Sequence, residues 1–131
     1  MTAENRELLL SELCARFPYT IYVYMNDKIA KVTEIRFDNR GNVIFTLKDK
    51  DKTYIGIDVE RVKPYLRPLK SMTPEEKEDY VQTLNIMEDG MGTKLVYTTH
   101  YALEWLNEHH FDFRNLIEKG LAIEAPDRLY K

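Results

Sequence analysis

The sequence has a single cysteine, no long apolar run and little excess of either charge. One cysteine, Cys14, cannot form an internal disulfide. Because a signal-peptide pattern is also absent, we expect a reducing, cytoplasmic setting. The apolar runs are only a few residues long, far short of the roughly 20 residues that span a bilayer, so no membrane partner is expected. The chain of 131 residues favours one domain over residues 1–131.

The net charge of −3 argues against a dedicated nucleic-acid binder. The charge is unevenly distributed, however: residues 19–70 carry a net +4 and residues 71–131 a net −6. Such an asymmetry indicates either two faces that meet different partners or two halves that attract each other within one fold.

The first 17 residues predict a helix over residues 2–16. Leu9 and Leu13 fall on one face at i, i+4 spacing, with Cys14 beside them. Pro18 ends the helix, because the residue before a proline avoids the helical conformation. We interpret Cys14 as a small core residue, since nothing near it in the sequence supplies the positive charge that a reactive thiol needs.

Residues 19–69 contain short runs of β-forming residues separated by turn signals. The pattern predicts four strands, at residues 19–25, 28–37, 43–47 and 53–57. In residues 59–69, Pro64 and Pro68 exclude a long helix or a central strand and predict a short strand or one 3₁₀ turn. Short strands joined by tight turns predict a small antiparallel SH3-like β-barrel.

Residues 71–131 predict a helical layer beside this barrel, so that the fold class is α+β. Thr73, followed by Pro74 and by Glu76 three positions after it, is typical of a helix start with a capping box. The pattern predicts a helix over residues 73–86 that lies on the surface.

An aromatic helix over residues 99–109 follows a glycine-containing loop at residues 88–94. Thr98 or Thr99 can cap this helix. Trp105 lies on its apolar face, so we expect the indole ring to belong to the core.

A further short helix is predicted over residues 113–119. Asp112 precedes it as a capping residue and Gly120 follows it as a C′ residue. Residues 121–125 are expected to run extended and residues 127–131 to fray.

Three segments resemble a known family: LCARFPY (13–19), VKPYLRPLKSMTPEEKEDY (62–80) and WLNEHHFDFRNLIEKGLAIEAP (105–126). In the same order they are similar to a family of small uncharacterised proteins encoded in gut bacteria of the Bacteroides type and in their phages and prophages. The strand region between the first two segments diverges. The resemblance implies a mobile-element setting and transfers no catalytic residue.

The adjacent histidines His109 and His110 do not predict a metal site. Neighbouring helical positions point about 100° apart, whereas chelation on a helix uses i, i+4 spacing. No second cysteine or acidic triplet accompanies them, and no cofactor is expected. We predict packing for one histidine and an interaction with the helix C-terminus for the other. Cys14 could meet a histidine only through tertiary contact, which leaves an enzyme with a Cys/His site as one alternative.

Basic and tyrosine side chains alternate along the predicted strands. Such a mixture can hold a phosphate backbone and stack bases, and it is also typical of a solvated sheet face whose lysines guard the edge strands. Asp49 and Asp51 in the neighbouring turn weaken the case for nucleic acid. The predicted binding residues are Tyr22, Tyr24, Lys31, Arg36, Lys48 and Tyr54.

These patterns predict a non-enzymatic accessory or interaction protein of phage or mobile-element origin that binds a protein partner. A nucleic-acid-binding module that uses the basic, tyrosine-rich barrel face is the alternative, followed by the enzyme with a tertiary Cys/His site. The oligomeric state stays open.

Overall fold

The computed structural model describes the backbone of residues 1–88, 94–97 and 100–130, and the side chains of residues 1–84 and 100–130. Its helices are α1 (Ala3–Arg16), α2 (Pro74–Gln82) and α3 (His100–Glu108), and two 3₁₀ turns span Val59–Arg61 and Leu69–Ser71. The strands are β1 (Tyr22–Met25), β2 (Lys28–Phe37), β3 (Val43–Lys48), β4 (Thr53–Asp58), β5 (Lys63–Pro68), β6 (Asn85–Glu88), β7 (Lys94–Tyr97), β8 (Phe111–Asp112) and β9 (Ile123–Glu124).

The main sheet has the strand order β4-β3-β2-β1-β5-β8, and β9 also pairs with β5. Strands β1 to β5 pair with one another in antiparallel fashion. Strands β8 and β9 pair with β5 in parallel. β6 and β7 form a separate two-stranded sheet. The α+β class is as predicted. The sheet is open over the described residues, so the predicted SH3-like barrel is not confirmed.

Residues 59–69 contain a 3₁₀ turn and a short strand, as predicted, but the prediction that this segment could not form a central strand is wrong. β5 lies inside the sheet, between β1 on one side and β8 and β9 on the other. Its prolines, Pro64 and Pro68, stand at the second and last positions of the strand. The backbone between them is free to pair: Arg67 N–H donates to the His110 carbonyl at 2.8 Å and the Leu66 carbonyl accepts from Ala125 N–H at 2.8 Å.

The four predicted strands are present, with the first beginning later than expected, at Tyr22. The β1–β2 turn has positive φ at Asn26 (49°) and Asp27 (62°). Two consecutive left-handed residues form the mirror-image turn that suits the twist of a hairpin, and asparagine and aspartate tolerate it best after glycine.

Helix α1 packs on the inner face of the sheet through Leu9 and Leu13, which are buried as predicted. The prediction that Cys14 is a core residue is wrong, because Cys14 is exposed. The buried stripe instead runs through Glu12 and Arg16, which follow Leu9 at i+3 and i+7.

Arg16 is fully buried and Glu12 is 2% exposed. The Arg16 guanidinium donates to the Glu12 carboxylate and to the backbone carbonyl of Phe111. The second Glu12 oxygen lies 3.2 Å from Nε of Arg114. A buried charge requires such partners, since its desolvation is otherwise very costly. Two charged residues of α1 therefore hold the C-terminal part of the chain against the N-terminal helix.

Thr73 caps α2 as predicted. The Thr73 hydroxyl accepts from the Glu76 N–H at 3.1 Å, and the Glu76 carboxylate accepts from the Thr73 N–H at 3.0 Å, which completes the capping box. The helix ends at Gln82 instead of residue 86, and Asn85–Glu88 belong to a strand.

Helix α3 confirms the prediction for residues 99–109, and strand β7 precedes it in the chain. The expected caps Thr98 and Thr99, and residues 89–93 of the expected loop, lie outside the described residues. Trp105 is half-buried and not a core residue, which corrects the prediction. Its ring contacts Tyr80 of α2 at 5.5 Å between centroids and Phe111 at 5.7 Å, so it packs between helices at the surface.

Residues 113–119 form turns instead of the predicted helix. Asp112 accepts from the N–H groups of Leu116 (2.8 Å) and Ile117 (3.0 Å), four and five positions after it, whereas a helix N-cap accepts from the N–H two or three positions after it. Asn115 has a φ of 60°, which interrupts helical geometry. Gly120 has a φ of 75°, the left-handed conformation that a C′ residue adopts, and its N–H donates to the Ile117 carbonyl at 3.1 Å, but the helix that it was predicted to end is missing.

The predicted fraying of residues 127–131 is wrong for the part that is described. The Tyr130 hydroxyl donates to the Tyr65 carbonyl at 2.8 Å and accepts from the Tyr22 N–H at 3.1 Å. These bonds attach the C-terminal segment to β1 and β5.

Thr73→Ala should lower the free energy of unfolding by about 1 kcal/mol, because the Glu76 N–H of α2 loses the hydroxyl that accepts from it. Urea denaturation measures this loss, with Thr53→Ala on an exposed strand position as the control. An unchanged midpoint would contradict the importance of the capping box.

Glu12→Ala should cost about 3–5 kcal/mol, because Arg16 would keep a buried charge without its carboxylate. The double variant Glu12→Leu/Arg16→Met should recover most of that loss, since it removes both charges together. Glu7→Ala on the exposed side of the same helix is the matched control. A loss below about 1 kcal/mol for Glu12→Ala would show that the pair does not hold the two ends together.

Candidate functional site

Three of the predicted binding residues form one row across three strands. Tyr22 of β1 is opposite Lys31 of β2, and Lys31 is opposite Lys48 of β3. The residues between them in the strands, such as Val23 and Leu47, point into the core. The row therefore lies on the opposite side of the sheet. We call this side the outer sheet face; Ile29, Tyr24, Lys63 and Ile55 extend it.

Lys31, Lys48 and Lys63 make no ion pair with any of the described side chains. Beside them Ile29 is 44% exposed and Ile55 is 66% exposed. Unpaired ammonium groups among exposed aliphatic side chains are suited to contact with another molecule.

Tyr24 borders this face, and its hydroxyl donates to Asp27 of the hairpin turn. That hydrogen bond raises the pKa of Tyr24 above its ordinary value. Tyr22 is half-buried, because the Tyr130 ring lies 5.7 Å from it, centroid to centroid. Both tyrosines are half-buried, so each has only part of its ring open to a ligand.

The structure does not bring Arg36 and Tyr54 into the row. Arg36 lies toward the far end of β2, where its Nε is 3.4 Å from Glu34. Tyr54 packs against the core cluster, and its hydroxyl donates to Asp49 at 3.0 Å. Backbone N–H groups of Asp51 and Lys52 hold the pKa of Asp49 below its usual value, so this carboxylate belongs to the turn.

The Cys/His alternative gains no geometric support. Cys14 is exposed and makes no hydrogen bond with a histidine in the described part of the chain. Partial burial raises the pKa of its thiol, which is the opposite of the shift that activates a nucleophile.

A second candidate site is a cavity of about 450 Å³ bounded by β1, β5, the start of α2, the end of α3 and the C-terminal segment. We call it the α3 cleft. Its lining includes Tyr22, Arg67, Glu108, His109, His110 and Tyr130. Its volume lies within the roughly 300–1,000 Å³ of ligand pockets.

His109 is held at the end of α3 in one orientation. Its Nδ1 lies 2.8 Å from the Trp105 carbonyl, and its ring stacks on the indole at 4.0 Å between centroids. A carbonyl only accepts, so Nδ1 donates, and in the neutral ring Nε2 is left as an acceptor. This is the predicted interaction of one histidine with the helix C-terminus.

His110 takes the predicted packing role. It follows the helix with a φ of 61°, is 4% exposed, and stacks on Tyr130 at 3.8 Å between centroids. Its Nδ1 is buried without a hydrogen-bond partner among the described residues. Burial, with smaller contributions from Arg16, His109 and Arg67, lowers the pKa of His110 to about 3, so the ring is neutral at physiological pH.

Arg67 lies in the cleft wall but its charge is already neutralised. Its two terminal nitrogens donate to Glu76 at 2.8 and 2.7 Å, and its guanidinium lies 4.2 Å above the Phe111 ring. Those hydrogen bonds lower the pKa of Glu76 to about 2. By contrast, Glu108 has no ion-pair partner among the described residues.

Sequence reasoning missed the α3 cleft because its parts come from five separate segments. The adjacent His109 and His110 were the one local signal in the sequence. They indicate a site once the fold places Tyr130 and Arg67 beside them. No group of three or more His, Cys, Asp or Glu side chains within the described ranges is arranged to hold a metal ion.

Comparison with known proteins finds no matching family model, curated protein or solved structure. Within the described residues, no helix combines the length and the apolar character needed to cross a membrane.

The pH dependence of stability should reveal the burial of His110. Its folded-state pKa of about 3 lies below the ordinary 6.5, so the unfolded chain takes up the proton first as pH falls. The stabilisation is complete above pH 6.5 and is lost progressively toward pH 3, with about 2 kcal/mol lost by pH 5.

Urea denaturation at pH 8 and pH 5 measures this loss. His110→Phe should remove most of the difference, whereas His100→Gln, at an exposed position, should leave it in place. If the His110→Phe variant lost as much stability between pH 8 and pH 5 as the unchanged protein, His110 would have to be accessible to protons in the folded state.

Proposed function

We propose that this protein is a non-enzymatic accessory protein that binds a protein partner through the outer sheet face. The observation that carries the proposal is the row of Lys31 and Lys48, unpaired among the described residues, beside Tyr22, with exposed Ile29 and Ile55 on the same side of the sheet. The partner surface that fits combines carboxylates with apolar side chains, because the lysines need counter-charges and the isoleucines need burial.

The mixture of groups favours a protein over nucleic acid. A platform for single-stranded nucleic acid uses several open aromatic rings beside its basic groups. Here Tyr54 packs on the core side, Tyr22 is partly covered by Tyr130, and Tyr24 is hydrogen-bonded to the turn. The continuous Tyr22–Lys31–Lys48 row supports the nucleic-acid module as the second candidate.

The proposal also covers the genetic origin and the cellular location of the protein. The resemblance of residues 13–19, 62–80 and 105–126 to proteins of Bacteroides-type bacteria and their phages supports a phage or mobile-element origin, and the single cysteine supports a cytoplasmic location.

We also propose that β1–β5 are an opened SH3-like barrel. The adjacency of the first and last of these five strands, β1 and β5, supports it, as does the 3₁₀ turn before β5.

Charge reversal on the face tests the proposed function. Lys31→Glu/Lys48→Glu should abolish capture of a specific protein from a lysate of cells that carry the gene. Lys50→Glu/Lys52→Glu, in the exposed β3–β4 turn, changes the charge equally and should retain it. Equal capture by both variants would overturn the assignment of this face.

A parallel titration addresses nucleic acid. Single- and double-stranded oligonucleotides are added at about 50 mM and about 200 mM salt, because phosphate contacts weaken steeply over this range. We expect weak binding at the lower salt and none at the higher. Micromolar binding that survives the higher salt and disappears in Lys31→Glu/Lys48→Glu would replace the protein partner by nucleic acid.

A further inference from the structure

The α3 cleft presents hydrogen-bond acceptors without a free positive charge. Glu108 contributes a carboxylate that has no ion-pair partner among the described residues, and His109 contributes its Nε2 acceptor. The positive charge of Arg67 is balanced by Glu76 at 2.7 Å. The cleft therefore has a net negative charge and favours a cationic hydrogen-bond donor.

Aromatic rings form much of the remaining wall. Tyr22 and Tyr130 lie 5.7 Å apart with planes inclined by 48°. The His109 ring stacks on Trp105 at 4.0 Å, and the hydrogen bond from its Nδ1 to the Trp105 carbonyl would be lost if the ring flipped to move Nε2. Planar cations stack well on such rings, and a guanidinium also offers five donors in a fixed plane.

We propose that the α3 cleft binds a guanidinium group, which donates to the Glu108 carboxylate and to Nε2 of His109 while it stacks on the tyrosine wall. The cleft shares Tyr22 with the outer sheet face, but Glu108 and His109 lie outside that face, so the proposal does not depend on the proposed partner. The same group is present in free arginine and in an arginine side chain of a protein, and the two sources are separated by experiment.

Other ligand classes fit the cleft less well. An anion would meet the Glu108 carboxylate, while the positive charge of Arg67 that could attract it is already paired with Glu76. An ammonium group would satisfy the charge but could not stack as a plane. Burial keeps His110 neutral, so this ring adds no positive charge that would attract an anion to the cleft.

The probes are Nα-acetyl-arginine amide, free arginine, Nα-acetyl-lysine amide, Nα-acetyl-citrulline amide and adenosine. Trp105, the only tryptophan, stacks on His109 and therefore reports binding by fluorescence. Histidine ring signals in NMR spectra give a second readout. The test variant is Glu108→Gln. The matched control is Glu104→Gln, one turn earlier on α3, where the carboxylate lies 3.1 Å from His100 and outside the cleft.

We expect the arginine amide to shift the Trp105 emission and the His109 signals, and citrulline, lysine and adenosine to bind at least about tenfold more weakly. Glu108→Gln should weaken arginine binding by about tenfold or more, while Glu104→Gln should leave it unchanged. Stronger binding of the amide than of free arginine would assign the site to a protein side chain, and the reverse would assign it to the free amino acid.

Three results would overturn the proposal. Equal binding of citrulline would show that the positive charge is not recognised. Equal binding of the lysine amide or preference for adenosine would show that a different group fits the cleft. Unchanged arginine affinity in Glu108→Gln would show that the carboxylate does not take part.

Discussion

The buried guanidinium of Arg16 is the constraint on which the arrangement of the chain depends. A fully buried charge must be compensated, and Glu12 on the same helix supplies only part of what the guanidinium requires. A second acceptor is the carbonyl of Phe111, which is 95 residues away in the sequence. Arg114 contacts the other oxygen of Glu12. Helix α1 and the segment after α3 therefore take their positions together.

Phe111 transmits this constraint to the α3 cleft. Phe111 pairs with Arg67 in the parallel β5–β8 ladder, and its ring contacts both the Arg67 guanidinium and the Trp105 indole. Arg67 in turn binds Glu76, which completes the cap of α2. A displacement of β8 would thus move the cleft wall, the aromatic contact between α2 and α3, and the start of α2. The two arginines connect helices that share little apolar core.

Local signals in the sequence were sufficient for the features that neighbouring residues determine, such as the Thr73 cap, the Asn26-Asp27 turn and the Lys31 side of β2. The local signals failed where contacts with residues distant in the sequence determine which side chains are buried. The prediction for Cys14 fails because Arg16, and not Cys14, lies on the buried side of α1. Arg16 is buried with a partner 95 residues away, which no local pattern indicates. The prediction that Tyr54 lies on the binding face fails because β4 places Tyr54 opposite the buried Leu47, a pairing that the sequence of β4 alone does not indicate. The docking of Tyr130 depends on contacts 65 and 108 residues distant.

The uneven charge of the chain acquires a physical interpretation from the ion pairs. If the basic residues 19–70 and the acidic residues 71–131 served mainly to attract each other, several pairs should join them. Among the described side chains only Arg67 and Glu76 do so. The lysines of the outer sheet face and the carboxylate of Glu108 make no ion pair among the described side chains. Tyr22 borders both surfaces, one positive and one negative, so a partner with acidic and basic groups side by side could contact both at once.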